Sequence, residues 1–273
     1  MARVLILSSF VAAGRVGGGA QVLALARLGI EPILIPTVLL GRHPGHGAPG
    51  GGPVAPETFE RVLEGVEAQD LFAALDAVIT GYFATAEQVA IAADALDRIK
   101  AAAPEAQIVV DPIMGDDDNG LYVNEAAAVA IAERLVPHAD LICPNVWELG
   151  RLAGFRVASG AEAVVAAARL QRPALVSSVP AGDDIGVIYA GPDEAWLASH
   201  RRAPAAPKGT GDLLTGFFLA ARLAGLAGGE ALAAAVGPLA ELIAASGAVD
   251  SGVGALPTRL APSPRVRLEE LDA

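Results

Sequence analysis

The stretch AVITGYFATAEQVAIAADALDRIKAAAPEAQIVVD, residues 77–111, reads as strand, glycine turn, helix and strand in one pass. Residues 77–80 and 108–111 are short runs rich in Val and Ile, of the kind buried on both faces of a parallel sheet. Between them, the Ala-rich residues 85–102 supply a helix long enough to carry the chain back for a parallel crossover. The same alternation extends in both directions. It predicts strands at 4–7, 32–36, 141–143, 174–177, 185–189 and 196–199. It predicts helices at 18–28, 56–67, 125–135 and 161–170, with two more, 212–223 and 230–248, closing the chain. Asn124 is placed to cap the helix that follows it, with Glu125 in its first turn. The expectation is an α/β fold whose mostly parallel sheet is covered on both faces. No repeat and no linker composition interrupts residues 1–273, so one domain is expected.

Composition narrows the function classes. The 31 acids and 19 bases give a net charge of −12, which argues against a nucleic-acid or anionic-membrane surface. Ala accounts for 58 of the 273 residues, so the high mean hydropathy reflects small side chains. The longest apolar stretch, residues 231–249, is interrupted by Gly237, Pro238 and Glu241, short of the roughly 20 unbroken residues of a membrane span. The run 4–7 is followed by glycines at 14 and 17–19 where a signal-peptide cleavage site would stand, so it reads as a first strand. Cys143 is the only cysteine, which excludes an intramolecular disulfide and fits a reducing cytoplasm. Among 19 bases only Lys100 and Lys208 are lysine, which makes each worth locating.

The chemistry-bearing residues cluster at strand ends. Lys208-Gly209-Thr210-Gly211-Asp212 stands immediately before the apolar run LLTGFFLA. A glycine turn that opens a helix aims unpaired backbone N–H groups and the positive dipole end at one spot, which makes an anion site. Spacing alone leaves an ordinary cap by Thr210 or Asp212 equally open. Asp111 closes a strand at the carboxyl edge, where open α/β folds place their ligands. With Asp116, Asp117 and Asp118 it packs four carboxylates into eight residues, a repulsion that a hard cation relieves. Asp117 and Asp118 read as a solvated acidic turn.

In CPNVWE, residues 143–148, Asn145 and Glu148 share a helix face, and their spacing slightly favours a plain capping box. Thr80-Gly81-Tyr82 and Ser9 follow two further strands. The Gly- and Pro-rich residues 41–56 read equally as a lid or as disorder. No HExxH, GxSxG or CxxC occurs, which leaves zinc-protease, serine-hydrolase and thioredoxin chemistry without support.

Taken in order, SSFVAAGRVG, IPTVLLGRHPGH, ITGYFATAEQ, VDPIMGDDDNGLYV, CPNVWEL and KGTGDLLTGFF resemble the ribokinase superfamily and, within it, the pyridoxal (vitamin B6) kinases. The match runs from Leu7 to about Gly225. GTGD is shared with sugar kinases, whereas TGY, DPxxGD…YV and PNxxE together with PTVLL are more specific to the B6 kinases. The resemblance implies a doubly wound sheet, ATP as donor, the vitamer's 5′-hydroxymethyl group as acceptor, and a homodimer. Carried over by position, it makes Asp212 the catalytic base and Gly209, Thr210 and Gly211 the anion hole. Asp111, Asp116 and Glu148 become the acids near Mg²⁺, and Asn145, Lys208, Tyr122 and Ser177 lie near the nucleotide. Ser9, Val16, Val38 and Tyr82 become the vitamer's wall.

Two departures stand out. Cys143 occupies a position held by Thr in many relatives, and a thiol is a poor alkali-cation ligand, so a K⁺ site would rest on backbone carbonyls. The lid reads Gly41-Arg42-His43-Pro44-Gly45-His46 in place of SNTPHY or SNHTGY, which casts His43 as the substitute for a hydroxyl or aromatic group. Two other readings remain open: a hydroxymethylpyrimidine kinase, loosely favoured by the Gly17–Gln21 run GGGAQ, and a vitamer-binding protein with little turnover.

Overall fold

The structure is a computed structural model and describes residues 1–204, 206–246 and 256–271. In chain order the elements begin with β1 (Arg3–Ala13), α1 (Gly17–Arg27), β2 (Glu31–Arg42), β3 (Gly51–Pro53), α2 (Pro56–Glu67), β4 (Ala77–Thr80) and α3 (Ala86–Ala102). They continue with β5 (Gln107–Val110), β6 (Gly115–Asp116), β7 (Gly120–Leu121), α4 (Glu125–Ala130), β8 (Leu141–Ile142), α5 (Val146–Ala153) and α6 (Gly160–Leu170). The chain closes with β9 (Ala174–Ala181), β10 (Asp184–Ala190), β11 (Ala195–Arg201), α7 (Thr210–Leu223), α8 (Gly228–Ala245) and β12 (Arg267–Leu271).

The described residues form a ten-stranded sheet in the order β12-β11-β10-β9-β8-β5-β4-β1-β2-β3. From β9 to β2 every pairing is parallel, while β3 on one side and β10, β11 and β12 on the other run antiparallel to their neighbours. Alternate side chains of the central strands enter opposite cores. Leu5 and Leu7 pack with Phe59, Leu63 and Leu96 of α2 and α3, whereas Val4 and Ile6 pack with Leu25, Phe217 and Leu232 of α1, α7 and α8. The sheet is therefore wound on both faces, as expected.

Differences from the sequence reading have local causes. β1 and β2 run on well past residues 7 and 36, and beyond Leu7 β1 pairs with β2 and no longer with β4. The 41–56 loop is largely structured. β3 folds back on β2 with Val38 opposite Pro53 and Leu40 opposite Gly51, and a short 3₁₀ turn spans Pro44–His46. The β6–β7 ladder has two residues per strand, and β12 carries mostly exposed, charged residues, so neither has an alternating pattern to betray it. The helix expected at 125–135 starts on Asn124 but turns π-helical over Ile131–Leu135. That expected at 230–248 runs Gly228–Ala245, with residues 247–248 outside those described. α8 is long and apolar enough by composition to cross a membrane, yet 72% of it is buried inside the fold, where it serves as a core helix.

Candidate active site

The carboxyl ends of β1, β4, β5 and β8 and the start of α7 surround a cavity of about 630 Å³. α7 has no side-chain cap. Its N-cap is Gly209 in the left-handed region (φ 87°), leaving the first-turn N–H groups available to an anion. A Cβ on Gly209 would sit 2.2 Å from the carbonyl oxygen of Arg15, so only glycine lets the β1–α1 loop close against the helix start.

Asp212 lies in the first turn of α7. Its Oδ2 accepts a hydrogen bond from the backbone N–H of Gly17 (2.8 Å), while its Oδ1 is buried without a partner. Burial pushes the carboxyl up to about 6, against the opposing pull of the Gly17 N–H and its own N–H. The group is thus ionised near neutral pH, with one oxygen unused.

Two more acids share the cavity. Asp111 is buried, and its Oδ2 accepts from the Thr215 hydroxyl (3.0 Å). Burial, and then the charges of Glu148 and Asp212, hold its carboxyl well above the usual range. Glu148 accepts from the backbone N–H groups of Met114 (2.8 Å), Gly115 (3.3 Å) and Asn145 (2.9 Å), and burial raises it to about 7. Asn145 and Glu148 do form the capping box of α5, and the Asn145 amide also donates to the Gly115 carbonyl (2.8 Å). Both nevertheless line the cavity. The capping and site readings are compatible, because the same pair that starts α5 also ties it to β6.

The donor set is all oxygen, and Asp111 is crowded by the charges of Glu148 and Asp212; a hard divalent cation such as Mg²⁺ suits such a set. Among the described residues no three acidic, His or Cys side chains gather into a complete metal cage. Phosphate oxygens or water would have to complete the shell. Asp116 does not line the cavity. Its carboxylate accepts from the Asn119 N–H (2.7 Å) and from the Tyr122 hydroxyl, which outweigh its partial burial and hold it below the usual range. It anchors the β6–β7 hairpin, whose Tyr122 does reach the cavity. Thr210 is likewise outside the lining.

The opposite wall gathers Ser9, Val16, Val38, His43 and Tyr82, and Ser177 and Lys208 also line the cavity. His43 sits in the β2–β3 flap, where its Nδ1 accepts from the Gly45 N–H (3.0 Å). Burial raises the Tyr82 hydroxyl and the Cys143 thiol, which stays neutral beside Asp111. Sequence reasoning missed Thr215 and Gly17. Thr215 stands three residues after Asp212 on one helix, a spacing that places it on the same face. Gly17 contributes only a backbone N–H, which no residue pattern announces.

A second cavity, of about 650 Å³, lies where β11 ends and α8 returns to the same sheet edge. Its lining includes Arg201, Arg202, Arg265, Ala240 and Ile243.

Residues 20–258 match the family model described as phosphomethylpyrimidine kinase. The chain is 36% identical over 264 residues to a pyridoxine/pyridoxal/pyridoxamine kinase of Bordetella avium, covering 94% of this chain and 89% of that one. It is 35% identical over 226 residues to a pyridoxal kinase of Leifsonia xyli, with 80% of each chain covered. The pyridoxal kinase of Leishmania donovani in complex with ADP and pyridoxine superposes with a TM-score of 0.91 at 27% identity, over 99% of both chains. The uncapped helix start with its buried acid, the paired carboxylates and these likenesses agree: the chain belongs to the pyridoxal kinase family, within the wider group that the phosphomethylpyrimidine kinase model describes.

Proposed function

We propose that the protein transfers the γ-phosphoryl group of ATP to the 5′-hydroxymethyl group of pyridoxal, pyridoxine or pyridoxamine, in salvage of the B6 cofactor. The observation that carries this reading is Asp212 Oδ1, a buried carboxylate oxygen without a partner beside an uncapped helix start. The substrate hydroxyl donates to that oxygen, and Asp212 takes the proton as the new ester bond forms. Gly17 holds the other oxygen, so the base has one orientation. The N–H groups at Gly209, Thr210 and Gly211, with Lys208, stabilise charge on the transferring group. Asp111 and Glu148 are the residues to hold Mg²⁺, which when bound neutralises phosphate charge. The helix dipole and that cation let a −12 chain accept a short polyanion. Any K⁺ would rest on backbone carbonyls, because the Cys143 thiol is neutral and soft.

The vitamer fits between Tyr82, Val16 and Val38, with Ser9 and His43 as polar contacts, while the flap excludes water. The nucleoside fits toward the second cavity, whose Ala240 and Ile243 suit a base and whose arginines suit phosphate or ribose. One catalytic domain, a cytoplasmic setting and a homodimer belong to the same reading. Phe10 and Leu39, opposite one another on β1 and β2, are 39% and 49% exposed and offer apolar surface for a second copy.

A hydroxymethylpyrimidine acceptor is the competing reading, favoured by the family model over residues 20–258. Initial rates with the three vitamers and with hydroxymethylpyrimidine separate them. The expected ranking puts a vitamer first by at least tenfold in kcat/KM, and a pyrimidine in first place refutes the vitamer assignment.

The pH dependence follows from Asp212. Ionised, it accepts the proton; protonated, it cannot. Below its value of about 6, kcat/KM is expected to fall about tenfold per pH unit. A flat profile between pH 5 and 8 removes Asp212 as the base.

A further inference from the structure

Gln88 belongs to no part of the machinery described above, yet its side chain is fully buried and bonded at both ends. It stands at the third position of α3, after the N-cap Thr85, whose hydroxyl accepts from the Gln88 N–H (3.2 Å). A Thr-x-x-Gln sequence at a helix start is a capping-box pattern, in which the glutamine reaches back to the cap residue's own N–H. Here the carboxamide reaches elsewhere. Its Oε1 accepts from the Ala84 N–H (3.1 Å), and its Nε2 donates to two carbonyls, those of Thr37 and Val54, each at 2.8 Å. The amide orientation is fixed by chemistry: the two carbonyls can only accept, and the Ala84 N–H can only donate.

The three partners have one thing in common. Thr37 and Val54 are the residues immediately outside the β2–β3 flap pairing, in which Val38 stands opposite Pro53. The Val54 N–H also donates to the Thr37 carbonyl (2.9 Å), which closes the flap's root. Ala84 lies in the turn between β4 and α3 that carries Tyr82. Thr37 reaches the same turn independently, its hydroxyl donating to the Tyr82 carbonyl (2.5 Å), while the Tyr82 N–H donates to Ser8 Oγ (3.3 Å). One buried carboxamide thus ties both roots of the flap to the loop presenting Tyr82, and makes none of the contacts on the phosphate side.

We propose that Gln88 is the positioning residue of the vitamer half of the site, a clamp that sets the flap and Tyr82 at a fixed separation for the ring. It acts through Val38, His43 and Tyr82, and it leaves the GTGD helix start and the acids untouched. The proposal rests on the vitamer-kinase reading for the identity of its ligand, so its test uses equilibrium binding as well as turnover.

Pyridoxal and ADP are titrated calorimetrically into the unmodified protein and into Gln88→Met, which keeps the volume but removes the amide. Two carbonyls and an N–H lose a partner, and Kd for pyridoxal is expected to rise about tenfold or more, with Kd for ADP within about twofold. Thr37→Val, which removes the second tie, is expected to shift pyridoxal binding in the same direction by a smaller factor, and it stands as the test if Gln88→Met does not fold. Unchanged pyridoxal binding in the folded variant, or equal weakening of pyridoxal and ADP, overturns the clamp. Pyridoxal binding without turnover in the unmodified protein refutes only the kinase reading, whereas absence of pyridoxal binding there overturns both.

Discussion

Asp212→Asn is expected to lower kcat by about a thousandfold, within the range that loss of a general base produces, and to leave ATP binding within a few-fold. The amide keeps the size of the carboxylate and can still accept from the Gly17 N–H that now meets Oδ2 at 2.8 Å. What is lost is a group able to take the substrate proton. The same variant carries a stability signature of opposite sign. An acid whose folded value is about 6 against an ordinary 3.8 binds its proton more tightly folded than unfolded. Its ionisation therefore costs stability as pH rises through that window, and the full cost is present above about pH 6. Asp212→Asn removes this cost, so its Tm is expected to exceed that of the unmodified protein at pH 8 and to converge with it near pH 4. Rates and melts on one preparation check both halves. Near-normal kcat would exclude Asp212 as the base, and a Tm gain that is equal at both pH values would exclude its ionisation as the cause.

Gly209→Ala is expected to cost about 3 kcal/mol of stability and about a hundredfold in kcat. The new Cβ would stand 2.2 Å from a backbone oxygen, that of Arg15, and no side-chain rotation relieves that contact. The φ of 87° adds strain for any residue with a Cβ. Relief requires the start of α7 to move away from the β1–α1 loop, which separates Asp212 from the Gly17 N–H and shifts the first-turn N–H groups together. Gly211→Ala is the control, since a Cβ there meets nothing within 4 Å. It is expected to change stability by no more than about 0.5 kcal/mol. Denaturant midpoints of the two variants decide the matter: equal midpoints mean that Gly209 is not what seats the helix.

The contrast between these two glycines also marks how far the sequence could be read. GTGD announced a helix start at a strand-rich edge, and that much came from residue type and order. Which glycine is indispensable depends on the Arg15 carbonyl, which is distant in sequence and carries no side-chain signature. The same limit explains Gly17 and Gln88, whose parts are played through backbone groups brought together by the sheet. Asp116 shows the converse. Its place after a strand-end motif was legible, but the hairpin that bonds its carboxylate to Asn119 and Tyr122 is too short to leave a pattern. The central strands and both helical layers were legible because burial on two faces leaves a strong apolar pattern. The flap was not, because glycines and prolines that favour a loop also suit an edge strand of three residues.

The buried oxygen of Asp212 is expected to direct a phosphoryl group onto the vitamer's hydroxymethyl oxygen. Phosphorus-31 NMR of a mixture of protein, ATP, Mg²⁺ and pyridoxal follows that transfer directly. A phosphate monoester signal is expected to grow in step with ADP and to be absent on the same time scale when Asp212→Asn replaces the unmodified protein. ADP formed with inorganic phosphate and no ester, or an ester signal undiminished by Asp212→Asn, would contradict that expectation.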